Sequence, residues 1–341
     1  MHERSFPFLI AVMAMLLLAA PAAARTLKIA TIVPDGSAWM QEMRRVGKAI
    51  EEETQGRVKL KFYPGGIMGN DNTVLRKIRA GQLQGGAFTS GALARVYPDI
   101  ELYGIPLLLR SYAEVDYVRA RMDEALIAGL ERAGFVALAI SDGGFAYLMS
   151  QKPLRRVSDL RGTKVWIQEG DVMSQTAFEI AGVSPIQLPL ADVYTALQTR
   201  LIDTVAAPTM GAIALQWHTK VKYLTDVPLS YLTGVFALDA KAFGGLRAGD
   251  RRVIRDKVGQ AARRLDADSR EGEQNAKQAL RKHGIEFVTA ATAEELERWH
   301  DISDQALVLL RKKQIYSEEM LDALERHLED CRSRSRESGG E

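Results

Sequence analysis

Apolar and polar residues alternate over 26–32 and again over 58–63, the two-residue period of strands with one buried face. Between these stretches Trp39, Met43, Val46 and Ile50 recur at helical spacing, and Ser37 stands where the cap of that helix is needed. The glycines of 64–70 suit a tight strand-to-helix turn. Without a following Lys-Ser/Thr pair or a dinucleotide spacing they do not make a phosphate loop. Val74, Leu75, Ile78 and Leu83 predict the next helix, and 85–90 a short buried strand whose end points at a cleft. An apolar segment broken by Gly104 and Pro106 precedes a helix through Val115, Val118 and Met122. Residues 135–141 form a continuous apolar run of the parallel-sheet kind, and 145–149 resume extended structure.

The stretch 158–208 is the most informative. A loop leads into Lys164-Val165-Trp166-Ile167, a strand expected to bury Val165 and Ile167 on one face and present Lys164 and Trp166 on the other. Met173, Ala177, Phe178 and Ile180 predict a helix closed by Ala181-Gly182, and 184–188 a second strand. Strand, helix, strand with a crossover belongs to an α/β sheet. A further helix through Leu197 and Leu201 leads to a strand at 203–208. Ligands of open α/β sheets lie beyond the carboxyl ends of strands, which puts Trp166, Gln168 and 208–210 beside the expected site.

Residues 236–238 read as a late strand returning to the first part of the chain, and 247–283 as one very long helix that outruns a single lobe and lies across two. Helices at 294–312 and 317–328 follow. About 300 residues exceed the usual size of one core, so two lobes are expected.

The formal net charge of +2 gives no electrostatic reason to expect nucleic acid as a partner. Positions 1–24 combine early charges, an apolar run over 8–20 and Ala22-Ala23-Ala24, which together read as an export signal cleaved near Ala24. The single cysteine, Cys331, lies far from that run, so neither a lipid anchor nor an internal disulfide is expected. Residues 329–341, rich in Arg, Ser and Gly, read as a disordered tail. The five histidines are scattered, with Lys282-His283 and Trp299-His300 on surface-helix patterns, and no nucleophile, acid-base or metal motif stands near them. A binding protein is expected, without enzymatic activity, cofactor or metal.

Residues 50–58, Tyr63-Pro64-Gly65-Gly66-Ile67-Met68-Gly69, Arg79-Ala80-Gly81-Gln82-Leu83, Ile105-Pro106-Leu107-Leu108, Asp159-Leu160-Arg161-Gly162-Thr163-Lys164-Val165, Tyr194-Thr195-Ala196-Leu197-Gln198 and Asp203 together resemble a DctP-type solute-binding protein of a TRAP transporter. The resemblance runs in order from Thr26 to the helices near residue 320. It implies a periplasmic, two-lobed α/β protein with a hinge, a cleft that closes on a solute, and delivery to TRAP membrane permease subunits driven by an ion gradient. The implied division is lobe 1 at 26–147 plus 236–275, and lobe 2 at 148–235 plus 276–328.

Three departures from the family pattern point one way. Where relatives carry an arginine that grips a substrate carboxylate, this chain has Trp166; Ala206 replaces a polar or acidic residue, and Ala146 a basic one. An indole offers a flat apolar face and one N–H donor, so an aromatic, amphipathic or apolar solute is expected, with Trp166 as a stacking wall. Trp39, Phe88, Phe145, Tyr147, Met210 and Trp217 are candidate companions, and Gln168 a hydrogen-bond donor to the solute. Phe145 and Tyr147 alternate with Ala146, so only one set can face the solute. Branches of the family that work with an additional periplasmic helical-repeat partner are linked to hydrophobic ligands, and this chain resembles those. The alternatives are a small organic acid held by a relocated cation such as Arg95 or Arg110, and a periplasmic lipid carrier or ligand-presenting sensor of the same fold.

Overall fold

The computed structural model describes residues 24–338. The expected export signal falls outside the described residues except for Ala24 at its end. No helix among the described residues is long and apolar enough to cross a membrane.

The first half is built on β1 (Arg25–Thr31), β2 (Val58–Tyr63) and β3 (Gly85–Thr89), which pair in parallel in the order β2-β1-β3. Between β1 and β2 runs α1 (Ala38–Glu53), started where Ser37 accepts the Met40 N–H at 3.2 Å. After β2 comes α2 (Asp71–Arg79), capped by Asn70. Two short helices, α3 (Ser90–Leu93) and a 3-10 turn at Pro98–Gly104, precede α4 (Tyr112–Arg132).

The sheet then continues through two long antiparallel strands, β4 (Phe135–Ser150) and β8 (Tyr223–Asp239). The near end of β8 pairs with β3. The far ends pair with β7 (Thr204–Pro208) on one side and β9 (Glu286–Val288) on the other, so this ribbon belongs to both halves. The expected lobe boundaries at 147/148 and 235/236 fall inside these unbroken strands. Register slips at Asp142/Gly144 bend the ribbon midway, and Gly144 takes a φ of 81° there. Side-chain-free backbone is what that conformation favours.

The second half carries β5 (Trp166–Gln168), α5 (Val172–Ile180) and β6 (Ile186–Leu188), with β5 and β6 parallel as the strand-helix-strand pattern predicts. Val165, Trp166 and Ile167 are all buried, however. The alternation at 164–167 does not mark a solvent face, because a lining of aromatic residues covers the second side. Next come α6 (Val193–Gln198), shorter than expected, and α7 (Thr209–Ala214) after β7.

After α8 (Ala240–Gly244), the predicted long helix is α9 (Ala248–Lys282), 35 residues and so about 52 Å at 1.5 Å per residue. Its first turns bury Ile254, Val258 and Ala261 against the first half. Farther along, Glu273 accepts the hydroxyls of Tyr112 (2.5 Å) and Tyr147 (2.8 Å), and Lys277 pairs with Asp226 at 3.2 Å. The helix therefore lies across both halves. Two helices close the chain, α10 (Ala293–Lys312) and α11 (Glu318–Ser338).

Over 329–338 the expectation of a disordered tail is corrected, while 339–341 lie outside the described residues. Helix α11 continues unbroken to Ser338 because Leu321, Leu324, Leu328 and Cys331 form one buried stripe. Arg332 then donates to Glu114 at 2.8 Å and to the Leu108 carbonyl at 2.7 Å.

Candidate functional site

The carboxyl ends of β3, β5 and β7 open on a chamber of about 190 Å³, where Thr89, Gln168 and Pro208 form part of the wall. Trp166 stands on β5 with its indole 7% exposed and donates Nε1–H to the Leu188 carbonyl of the paired strand at 3.0 Å. Its ring meets Trp217 edge to face, centroids 5.3 Å apart. Trp217 is held in that position by a 3-10 turn, Trp217–Lys220, entered through Gln216 at a left-handed φ of 58°. Trp299, Phe178 and Leu107 complete the apolar wall. Gln168, Asp171, Ser174, Thr89 and Ser230 supply its polar atoms, and no Lys, Arg or His is among the described residues lining it.

A second cavity of about 390 Å³ adjoins the chamber and shares Gln168, Asp171, Leu190 and Leu215 with it. It is walled by the turn after β2, by Gly91 and Arg95 on and after α3, and by Glu101, Glu169 and Gly170. Burial pushes the Asp71 carboxyl up to about 6. Burial, with the charge of Asp171 added, also raises Glu101. Asp171 is raised by burial too, against the pull of the Ser174 N–H it accepts at 2.8 Å. Arg95 turns its guanidinium to the Glu169 carbonyl at 3.4 Å.

Of the residues singled out in the sequence, Trp166, Gln168 and Trp217 come together on the chamber. The others are placed elsewhere. Trp39 packs on α1 against Phe236, centroids 6.5 Å apart. Phe88 is buried in the sheet core, while the next residue, Thr89, reaches the chamber. The alternation at 145–147 resolves in favour of Ala146, which lines the wall. Phe145 instead packs between Tyr112 and Tyr231, and Tyr147 bonds to Glu273. Met210 is 48% exposed and rests near Gly272 of α9. Neither alternative cation lines the chamber: Arg95 borders the second cavity, and Arg110 lies near Glu114 and Arg332.

Trp299 was missed, and the surface-helix reading of Trp299-His300 is corrected: the indole is 2% exposed. Its signal was present, since Trp299, Ile302, Ala306 and Leu310 keep the spacing of a buried helical face. Glu101 and Asp171 carry no local sequence signal, because only the tertiary fold brings two separate loops together. Among the described residues, no group of three or more His, Cys, Asp or Glu side chains could hold a metal ion.

Residues 29–313 match the family described as "DctP: Bacterial extracellular solute-binding protein, family 7". The chain is 26% identical over 251 residues to the 2,3-diketo-L-gulonate-binding periplasmic protein YiaO of Escherichia coli (strain K12), covering 72% of this chain and 75% of that one. It is 25% identical over 257 residues to the C4-dicarboxylate-binding periplasmic protein DctP of Rhodobacter capsulatus, covering 74% and 76%. A TRAP periplasmic solute binding protein from Shewanella oneidensis with bound succinate superposes with a TM-score of 0.82 at 19% identity, over 90% of this chain and 100% of that one. The shared fold is the two-lobed α/β architecture with a cleft between the lobes.

Proposed function

Because the chain belongs to the DctP family of bacterial extracellular solute-binding proteins, we propose that it captures a solute with an apolar or aromatic body in the chamber at Trp166 and delivers it to the membrane permease subunits of a TRAP transporter. The observation that supports this reading is a wall dominated by three indoles and aliphatic side chains, with no Lys, Arg or His among the described residues lining it. A carboxylate desolvated without a cationic partner costs several kcal/mol even after relaxation. The Trp166 N–H cannot offset that cost, since it is already given to Leu188. For size, a cavity of about 150 Å³ accepts benzene, so 190 Å³ suits a single ring with short substituents. Helices that tie both lobes together and a ribbon bent at Gly144 fit closure around such a solute.

The chain would then be a branch of the family that lacks the carboxylate-gripping arginine, although the relatives named above bind acids by their names. Calorimetric titration of the purified protein with neutral aromatics (indole, p-cresol) and with succinate and L-gulonate decides between these solutes. The neutral rings are expected to bind about tenfold more tightly than either acid, a difference of about 1.4 kcal/mol. Tight succinate or gulonate binding with no response to the neutral rings would reverse the assignment.

A further inference from the structure

One side of the tryptophan chamber is the seam between two packed helices, where Ser174, Ala177 and Phe178 of α5 join Trp299 and Ile302 of α10 in the wall. Trp299 is 2% exposed, and its Nε1–H has no hydrogen-bond partner among the described residues. Its surroundings explain why. Trp166 stands on a strand, whose neighbour offers it the Leu188 carbonyl, whereas the mid-helix carbonyls of α5 and α10 are taken by their own backbone N–H groups. One turn farther on the same face of α10, Ser303 is also 2% exposed, with a hydroxyl that no described residue bonds. A buried N–H left without an acceptor costs about 1–3 kcal/mol, so this wall holds a donor that a suitable solute would satisfy.

The chemistry of that donor selects its complement. An indole N–H only donates, so the solute group that meets it must accept. A carboxylate accepts, but one N–H returns about 1.5–3 kcal/mol to a charged acceptor, less than the several kcal/mol that desolvating the charge costs. Asp171 on the same wall sets a second acid beside it. An ammonium group brings no acceptor at all. A hydroxyl accepts, yet adds a proton that needs a partner of its own in an apolar wall. A carbonyl oxygen accepts and has no proton to place.

Resting on the reading above, we propose that the solute is a neutral aromatic carbonyl compound, a ketone, aldehyde or ester, whose oxygen accepts the Trp299 Nε1–H while its ring lies against the indoles and aliphatic side chains of the chamber. Trp299 is then the residue that sets specificity within apolar solutes. The ring is held by burial, which any hydrocarbon of that size obtains, and the carbonyl is recognised by the one indole donor that the fold leaves unpaired. Trp166 and Trp299 divide the work: the first, its N–H given to Leu188, contributes surface, and the second contributes surface and a hydrogen bond.

The test is calorimetric titration of acetophenone, of ethylbenzene, which has the same shape without the oxygen, and of benzoate into the whole protein and into Trp299→Phe. The variant keeps a flat ring and loses only the donor, and circular dichroism confirms that it is folded. Acetophenone is expected to lose about fivefold to tenfold in affinity in Trp299→Phe, and ethylbenzene about twofold or less. Should the variant misfold, the indole N–H resonances of the ¹⁵N-labelled wild type carry the test: acetophenone is expected to shift the Trp299 signal downfield and ethylbenzene to leave it in place. Equal losses for both rings, an unmoved Trp299 signal, or ethylbenzene bound without acetophenone overturns the proposal, while ethylbenzene binding leaves the apolar-solute reading standing. Benzoate binding without either neutral ring, or no binding of any of the three, would instead remove that reading itself.

Discussion

Trp166 was legible from the sequence because a motif ending in Lys164 fixes its register, and the structure explains what the motif alone does not. Its N–H is committed to Leu188 and its ring meets Trp217 at 78°, so it offers a solute ring surface and no hydrogen bond. Replacing it by arginine puts a buried charge where nothing in the chamber wall compensates it except Asp171. Trp166→Arg is therefore expected to lower the melting temperature of the free protein by several degrees, since about 1 kcal/mol moves a protein of this size by roughly 2–4 °C. Succinate should recover part of that loss in the variant and leave the wild type unmoved, as read by thermal shift. Glu101 gives a second residue-scale outcome with a definite sign. Its folded-state carboxyl is raised by burial and by Asp171. The folded state thus resists ionisation, and stability is undiminished below about pH 4, where a free carboxyl titrates, then declines as pH rises toward neutrality. Glu101→Gln should abolish that decline, raising the urea midpoint at pH 8 relative to wild type and leaving it equal at pH 4. A midpoint gain of the same size at both pH values would contradict this origin. Nothing in the local sequence around Glu101 or Asp171 announces their approach, which depends on how two lobes fold toward each other.

At the scale of elements, periodicity identified the strands and helices well and failed where a second layer covers a face. The strand at 164–167 alternates, yet Val165, Trp166 and Ile167 are all buried, since the aromatic wall covers what a lone strand would expose. The end of the chain is the converse case: its charges suggested disorder, but the stripe Leu321, Leu324, Leu328, Cys331 is continuous and gives the helix a face to bury. Composition averaged over 329–341 hides a single well-placed residue. The ion pair from Arg332 satisfies Glu114, whose side chain is only 11% exposed, and also caps the Leu108 carbonyl next to the chamber residue Leu107. Removing one member of a largely buried pair leaves the other charge uncompensated. Arg332→Ala is expected to cost about 2–3 kcal/mol in urea unfolding. A loss below about 0.5 kcal/mol would mean that the final turns of α11 contribute nothing to the fold.

For the whole molecule, chain length and the family resemblance indicated two lobes and the pattern at 247–283 a spanning helix, but neither showed how the lobes are joined. Beside the spanning helix, the join is the β4–β8 ribbon, whose ends pair with β3 on one side and with β7 and β9 on the other, so its middle lies between the lobes. At that midpoint Gly144 holds a φ of 81°, and Asp142 both accepts the Gly144 N–H at 2.7 Å and binds Arg270 of the spanning helix. A Cβ at Gly144 would meet only the Tyr112 hydroxyl at 3.7 Å and Pro208 Cβ at 3.8 Å, both ordinary contacts. Gly144→Ala therefore tests backbone conformation with little steric confusion. The left-handed φ should cost about 1–2 kcal/mol in unfolding free energy. Because the chamber takes Thr89 and Leu107 from one lobe and Trp166 and Trp217 from the other, a shifted ribbon misaligns walls that the substitution does not touch. Solute affinity is then expected to fall by about fivefold to tenfold beyond any effect of stability, measured by titration well below the unfolding range. Intact affinity together with reduced stability would locate the angle between the lobes elsewhere than in this bulge.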